Sequence, residues 1–413
     1  MIMGHLRDRR PPAIVLASGH TGLGALRALM LAGIPTYVAC PEHDLATHSR
    51  WYRPPPGADA WSGVVGPRAY EALQSMSLDE AVLIPGADDA ALWMADLPQT
   101  PLSRRFRVSS SSRKTLETLQ DKTRFGEFLS RSGIAHPRTF SIDGREDIDA
   151  IPFHELDRIF VKPADSQQFS QTLGVKGIWA NSQQEFREIW RRLDAQGLKV
   201  IAQEYIPGDA SDHYFIDGFR DRNAILTGLF ARRRIRIFPP DFGNSSYCQS
   251  TALTEVTGAL ASLTTLLTAL RYRGIFSAEF KRDARNGEFK ILEVNTRAWW
   301  YVEFAARCGV NVCRMAYEDA REQSVTAANP GYPTGAGCVS LAGDIKSYLS
   351  QSPAVRSPLR KILGEWARAH YHVFRLDDAG PGLSVVRQNL SRLLARAARR
   401  IGTAIMRPAS ARR

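Results

Sequence analysis

The residues around Glu279 to Arg297 are the densest set in the chain that could do chemistry. Glu279 lies in one apolar-rich run, Gly274–Lys281, and Glu293 and Asn295 lie in the next. The Arg285-Asn286-Gly287 segment between them reads as a turn, so the two runs form a hairpin. Residues two apart share one face of a strand. Glu293 and Asn295 therefore point the same way, and Glu279 joins them if the hairpin folds back. Two carboxylates and an amide oxygen suit Mg²⁺ (or Mn²⁺) held with substrate phosphates and water, not zinc. Arg297 continues the alternation and could neutralise a transferring phosphoryl group. A solvated hairpin fits the same residues equally well, with the acids outward and Phe280, Ile291, Leu292 and Val294 inward.

Three weaker signals precede it. Lys122 follows a break in a helical pattern, and Lys162 ends an apolar strand just before Pro163. A lysine at a strand end can aim its ammonium at phosphates, although most lone lysines are solvated. Gln203 and Glu204 end another apolar strand before the Pro207-Gly208 turn. Acceptors there could meet an adenine amine, with Asp209 or Asp212 near ribose hydroxyls; a plain strand and turn is the simpler reading. Arg232 to Arg236 form a basic strand rim. It could hold an anionic substrate or be a charged, solvated edge.

The elements that must position these residues follow from the apolar patterning. Ala13–Ala17, Thr36–Ala39 and Ala81–Ile84 are short buried-type strands with a helical pattern from Leu23 to Ala32 between the first two, the mark of a parallel α/β sheet. The glycines of Ser18–Gly24 fall as GxxGxG and no acid closes the next strand. A tight turn with close helix packing is favoured there over a dinucleotide site. Further strands are expected at 158–162, 175–180, 199–206, 213–218, 224–231, 235–238, 274–281 and 288–294, with helices at 182–193 and 254–272.

What converts these signals into one reading is their order: Asp121-Lys122, His136-Pro137, Val161-Lys162-Pro163, Lys176, Gln203-Glu-Tyr-Ile-Pro-Gly208, Gly274-Ile-Phe-Ser-Ala-Glu279, then Leu292-Glu-Val-Asn-Thr-Arg297. The run resembles the ATP-grasp superfamily over about residues 13–322. It is most similar to the carboxylate–amine ligase branch, which includes D-aspartate ligases and the large subunit of carbamoyl-phosphate synthases. The resemblance implies mixed α/β and α+β architecture. Residues 1–114 would be an N-terminal parallel α/β half-domain and 115–325 a two-subdomain ATP-grasp fold, with 115–200 covering the nucleotide and 201–325 holding metal. Residues 326–413 would be a helical, basic C-terminal extension.

It also implies roles. Lys122 and Lys162 would contact ATP phosphates, and Lys162 and Arg297 would act in catalysis. Gln203, Glu204 and the backbone of Tyr205-Ile206 would hold adenine, and Asp212 ribose. Glu279, Glu293 and Asn295 would ligate Mg²⁺. Arg234, Arg236 and Trp299 would face the acid substrate, although core packing suits Trp299 as well. The expected reaction joins a small carboxylate, activated by ATP as an acylphosphate, to an amine. A thiol or bicarbonate acceptor and a non-catalytic nucleotide-binding regulator are the alternatives. Two features depart from the family: Asn295-Thr296-Arg297 replaces the common Asn-Pro-Arg, and the loop at 165–172 lacks glycine.

Composition bounds the rest. The 413 residues are 44% apolar and 23% charged, as in ordinary globular proteins. No run approaches the roughly 18–20 apolar residues of a membrane span, and the start lacks a signal-peptide core, so a cytoplasmic protein is expected. Five scattered cysteines indicate neither disulfides nor zinc. The net charge is +12, and residues 387–413 hold eight arginines and no acid. About 384–406 reads as a basic amphipathic helix, with Val386, Leu390, Leu393, Leu394, Ala397, Ile401, Ala404 and Ile405 on one face. Packing on the protein's own body or on a second subunit of a homodimer is favoured over an anionic membrane face. The basic excess lacks interleaved aromatics, so nucleic acid is not an expected partner.

Overall fold

The structure is a computed structural model that describes residues 10–57, 61–156, 158–163, 177–240, 243–353 and 356–391. The loop at 165–172, Lys176 and the chain beyond 391 lie outside the described residues.

The first sheet is built from β1 (Ala13–Leu16), β2 (Thr36–Ala39), β3 (Ala81–Pro85) and β4 (Phe106–Val108), all parallel, in the order β2-β1-β3-β4. β1 and β3 are apolar and buried along their whole length, as parallel strands covered on both faces must be. The helix Gly19–Leu31 starts directly at the glycine turn, and the Asp44 carboxylate accepts the Gly19 N–H at 2.7 Å. A Cβ at Gly22 would stand 2.9 Å from the Ala17 carbonyl oxygen, so this turn does serve close helix packing.

The second sheet is antiparallel, with β5 (Thr139–Ile142), β6 (Ile159–Pro163), β7 (Ile178–Ala180) and β8 (Val200–Glu204) in the order β5-β8-β6-β7. The helix Gln183–Asp194 is capped by Ser182, whose hydroxyl accepts from Glu185 N at 3.1 Å. Its Phe186, Ile189 and Leu193 recur at helical spacing and are buried with the sheet's apolar side chains.

The third sheet has seven strands: β9 (His213–Arg220), β10 (Leu226–Phe238), β11 (Asn244–Thr251), β12 (Gly274–Arg282), β13 (Phe289–Asn295), β14 (Gly337–Val339) and β15 (His370–Tyr371). Their order is β13-β12-β9-β10-β11-β14-β15, and only β14 and β15 pair in parallel. Alternation sorts this sheet into two faces. Phe276, Ala278, Phe280, Ile291 and Val294 pack against Leu263, Leu266 and Leu267 of the helix Thr257–Ala269. Ser277, Glu279 and Lys281 consequently lie on the other face.

One expectation changes here. The arginine run is no solvated edge: β10 is the middle strand of the sheet, and Arg232, Arg234 and Arg236 are all buried. Within the residues past 326, β14 and β15 add two short strands to the same sheet. The helical stretch at 380–391 exposes Val386 and Leu390, the two residues of the expected apolar face that are described; the rest of that face lies outside the described residues. Among the described residues, no helix is long and apolar enough to cross a membrane.

Candidate active site

The β12–β13 hairpin sets Glu279 opposite Glu293 and Ser277 opposite Asn295. The side chains continue the pairing. Asn295 Nδ2 donates to Glu293 Oε1 at 3.0 Å, and Arg297 donates to Asn295 Oδ1 at 3.2 Å and to Asp88 Oδ1 at 2.9 Å. Asp88 begins the helix after β3, so the first sheet's connections reach this site. His213 Nδ1 lies 2.8 Å from Glu279 Oε1, and Arg234 donates to the same oxygen at 3.2 Å. Burial pushes the Glu279 carboxyl up, but Arg234 and His213 outweigh it and hold it at about 2. An ionised carboxylate, a second carboxylate and an amide oxygen fit a hard ion such as Mg²⁺. Among the described residues, no group of three His, Cys, Asp or Glu forms a competing metal site.

Lys162 reaches this face from β6. Its Nζ donates to Gln203 Oε1 at 2.6 Å. Burial lowers the pKa of the ammonium, and the charges of Glu293 and Glu279 act against that fall. Lys162, Gln203, Glu279, Glu293, Asn295, Arg297 and Arg234 thus form one linked polar group between the second and third sheets. Lys122 is the first residue of the helix Lys122–Arg131, two positions past Gln120, whose amide donates to Thr296 Oγ1 at 3.0 Å.

The β8 end lies beside them. The Glu204 carboxylate accepts from Arg138 N at 3.0 Å and from Arg285 at 2.8 Å. The Arg158 guanidinium lies 4.1 Å from the ring centroids of both Trp179 and Tyr205, which meet edge-to-face 5.3 Å apart. Lys281 Nζ lies 4.8 Å from the Tyr205 ring, and burial brings its pKa down to about 8. Ile206 is buried. Asp212 accepts from Arg282 at 2.9 Å and from Asp209 N at 2.9 Å.

The substrate candidates separate. Arg234 points at Glu279. Arg236 is instead committed to Asp344, at 2.8 Å, and to Glu365, at 2.5 Å, so its charge is already matched by two acids from residues 341–368. Trp299 is buried in the core shared with the first sheet, while Trp300 is only half-buried. Sequence reasoning missed Asp217, Ser277, Asp88 and His213. Asp217 is fully buried, pairs with Arg232 at 2.7 Å and accepts from Ser277 Oγ at 2.6 Å. The His213-x-Phe215-x-Asp217 alternation on β9 was the available signal, since it puts both groups on the face that carries Glu279.

No protein-family model matches the sequence. A D-aspartate ligase from Enterococcus faecium is 23% identical over 238 residues, which are 53% of this chain and 53% of that one. The chain thus matches about half the length of this curated relative. Biotin carboxylase from Campylobacter jejuni superposes with a TM-score of 0.60 at 15% identity, covering 79% of this chain and 74% of the other. L-amino acid ligase from Bacillus licheniformis gives 0.57 at 12% identity, covering 80% and 79%. N5-carboxyaminoimidazole synthetase from Staphylococcus aureus, solved with ADP, gives 0.56 at 14%, covering 76% and 78%. These likenesses, each covering three quarters or more of this chain, show that it has the ATP-grasp fold.

Proposed function

We propose that this protein is an ATP-dependent ligase. It activates a small carboxylate, an amino acid or a similar acid, as an acylphosphate and joins it to an amine. The observation that carries this reading is the meeting of Lys162 with Glu279 and Glu293, with Arg234 and Arg297 on the same face. That is a place for polyphosphate charge next to a place for a second anion. The D-aspartate ligase and L-amino acid ligase among the similar proteins support an amino acid as the acid.

Lys122 and Lys162 bind the phosphates. Gln203, Glu204 and the Tyr205-Ile206 backbone hold the adenine end, and Asp212 holds ribose. Glu279, Glu293 and Asn295 hold Mg²⁺, which when bound neutralises phosphate charge. Arg234 holds the substrate carboxylate in line, and one of its oxygens attacks the γ-phosphorus while ADP leaves. Arg297 balances the charge of the transferred group. The amine then forms the amide and phosphate departs. Positioning and charge neutralisation do the work, so no serine or cysteine nucleophile is required.

The test is ADP release with a panel of amino acids as acids and amines. Release that depends on both substrates is expected, together with its loss in Lys162→Ala and Glu293→Ala. Intact turnover in both variants would refute the assignment.

A further inference from the structure

Three segments far apart in sequence converge beside the site. His20 comes from the first turn of the helix Gly19–Leu31, Trp300 and Tyr301 follow Arg297, and His372 follows β15. The His20 ring lies 4.3 Å from Trp300 and is stacked on His372 at 4.8 Å, 16° from parallel. Trp300 and His372 are themselves nearly parallel at 5.8 Å, and Tyr301 closes the group 5.1 Å from His372. His372 is only 8% exposed, and its buried Nε2 has no hydrogen-bond partner among the described residues. A buried polar atom without a partner is costly unless something supplies the missing bond. His20 and Trp300 are only half-buried, so the cluster has an accessible rim over a buried floor.

The cluster is tied to the catalytic face. Trp300 stands three residues past Arg297. The Arg232 guanidinium lies 4.8 Å from the Tyr301 ring, and its partner Asp217 accepts from Ser277, two residues before Glu279. The Tyr301 hydroxyl donates to the Ser245 carbonyl and fixes the ring.

We propose that His20, Trp300 and His372 seat the amine substrate, and that His20 accepts the proton the amine must lose. This inference rests on the ligase reading above. Primary amines arrive as ammonium ions, and aromatic faces attract ammonium. The groups around the two imidazoles favour neutral rings. Burial lowers the pKa of His20, with Asp44 pulling the other way. Burial, then His20, Arg27 and Arg232, hold His372 well below its ordinary value. A neutral His20 can therefore take one proton from the ammonium. The freed lone pair forms the C–N bond, the acyl C–O bond to phosphate breaks, and the second N–H proton leaves with phosphate. One N–H remains in the amide.

The experiment compares two acceptors in the full-length protein, with a panel of amino acids as the acid. Hydroxylamine is unprotonated at neutral pH and needs no base; amino-acid amines do need one. In His20→Ala, amide formation should fall about 10²-fold or more while hydroxamate still forms, and the amide rate should recover as pH rises. Trp300→Leu should raise KM for the amine and leave KM for the acid in place. Amide formation at the original rate in His20→Ala, with hydroxamate also intact, would overturn the inference alone. No hydroxamate from the unaltered protein with any acid would overturn the ligase reading and this inference together.

Discussion

Desolvation works against the charge of the Lys162 ammonium, and the charges of Glu293 and Glu279 support it. Removing the ammonium or the Glu293 carboxylate should therefore cost ADP release about 10²–10³-fold, the scale of losing one preorganised electrostatic contact. Arg234 and Arg236 separate by role despite being two residues apart. Arg234→Ala should raise KM for the acid. Arg236→Ala should instead strand Asp344, fully buried, and cost about 3–5 kcal/mol of stability, read as a lower urea midpoint with KM for the acid unchanged. The alternation of Glu293, Asn295 and Arg297 made one shared face legible in the sequence, because a period of two leaves little choice. The partners that decide each arginine's role were not legible. Asp344 and Glu365 lie more than a hundred residues from Arg236, and no local pattern announces such pairing.

At the level of elements, the fold class followed from short apolar runs set between turn signals. What the runs did not reveal was strand order. β10 is charged on one face and still central, because Asp217 and Ser245 from the adjacent strands and Glu279 from β12, one strand further, pair with Arg232 and Arg234. β14 and β15, of three and two residues, are too short to show a period. The close approach of β9 and β10 makes a specific demand. A Cβ at Gly218 would stand 2.4 Å from the Gly228 carbonyl oxygen and 2.5 Å from the Phe276 ring. Gly218→Ala should therefore destabilise by about 1–3 kcal/mol through overpacking, with a lower melting temperature by calorimetry. An unchanged melting temperature would mean that the two strands stand further apart.

Across the whole molecule, the helix Gly19–Leu31 of the first sheet, the helix Val302–Arg307 and the chain after β15 are locked together by Arg27. Its fully buried guanidinium holds Asp378 at 2.9 Å and Glu303 at 3.3 Å, and it donates to the Val373 carbonyl at 3.0 Å. Asp378→Ala leaves that charge short of a partner and should cost about 3–5 kcal/mol, seen as an earlier unfolding transition. The same junction makes stability sensitive to acid. His372 stays neutral in the folded chain, whereas in the unfolded chain it gains a proton as pH falls through its ordinary value of 6.5. The unfolded state then binds more protons, so stability is lost as pH drops below that value. Melting temperature should fall on acidification, less steeply in His372→Asn. The central claim, that a substrate carboxylate attacks the γ-phosphate of ATP, is tested most directly by oxygen transfer. Amino acids carrying ¹⁸O in the carboxylate, both aspartate enantiomers among them, would be turned over with ATP and an amine, and the released phosphate analysed by mass. The account predicts ADP as the nucleotide product and one ¹⁸O in each phosphate. Phosphate whose new oxygen comes only from solvent, or release of AMP and pyrophosphate, would contradict it.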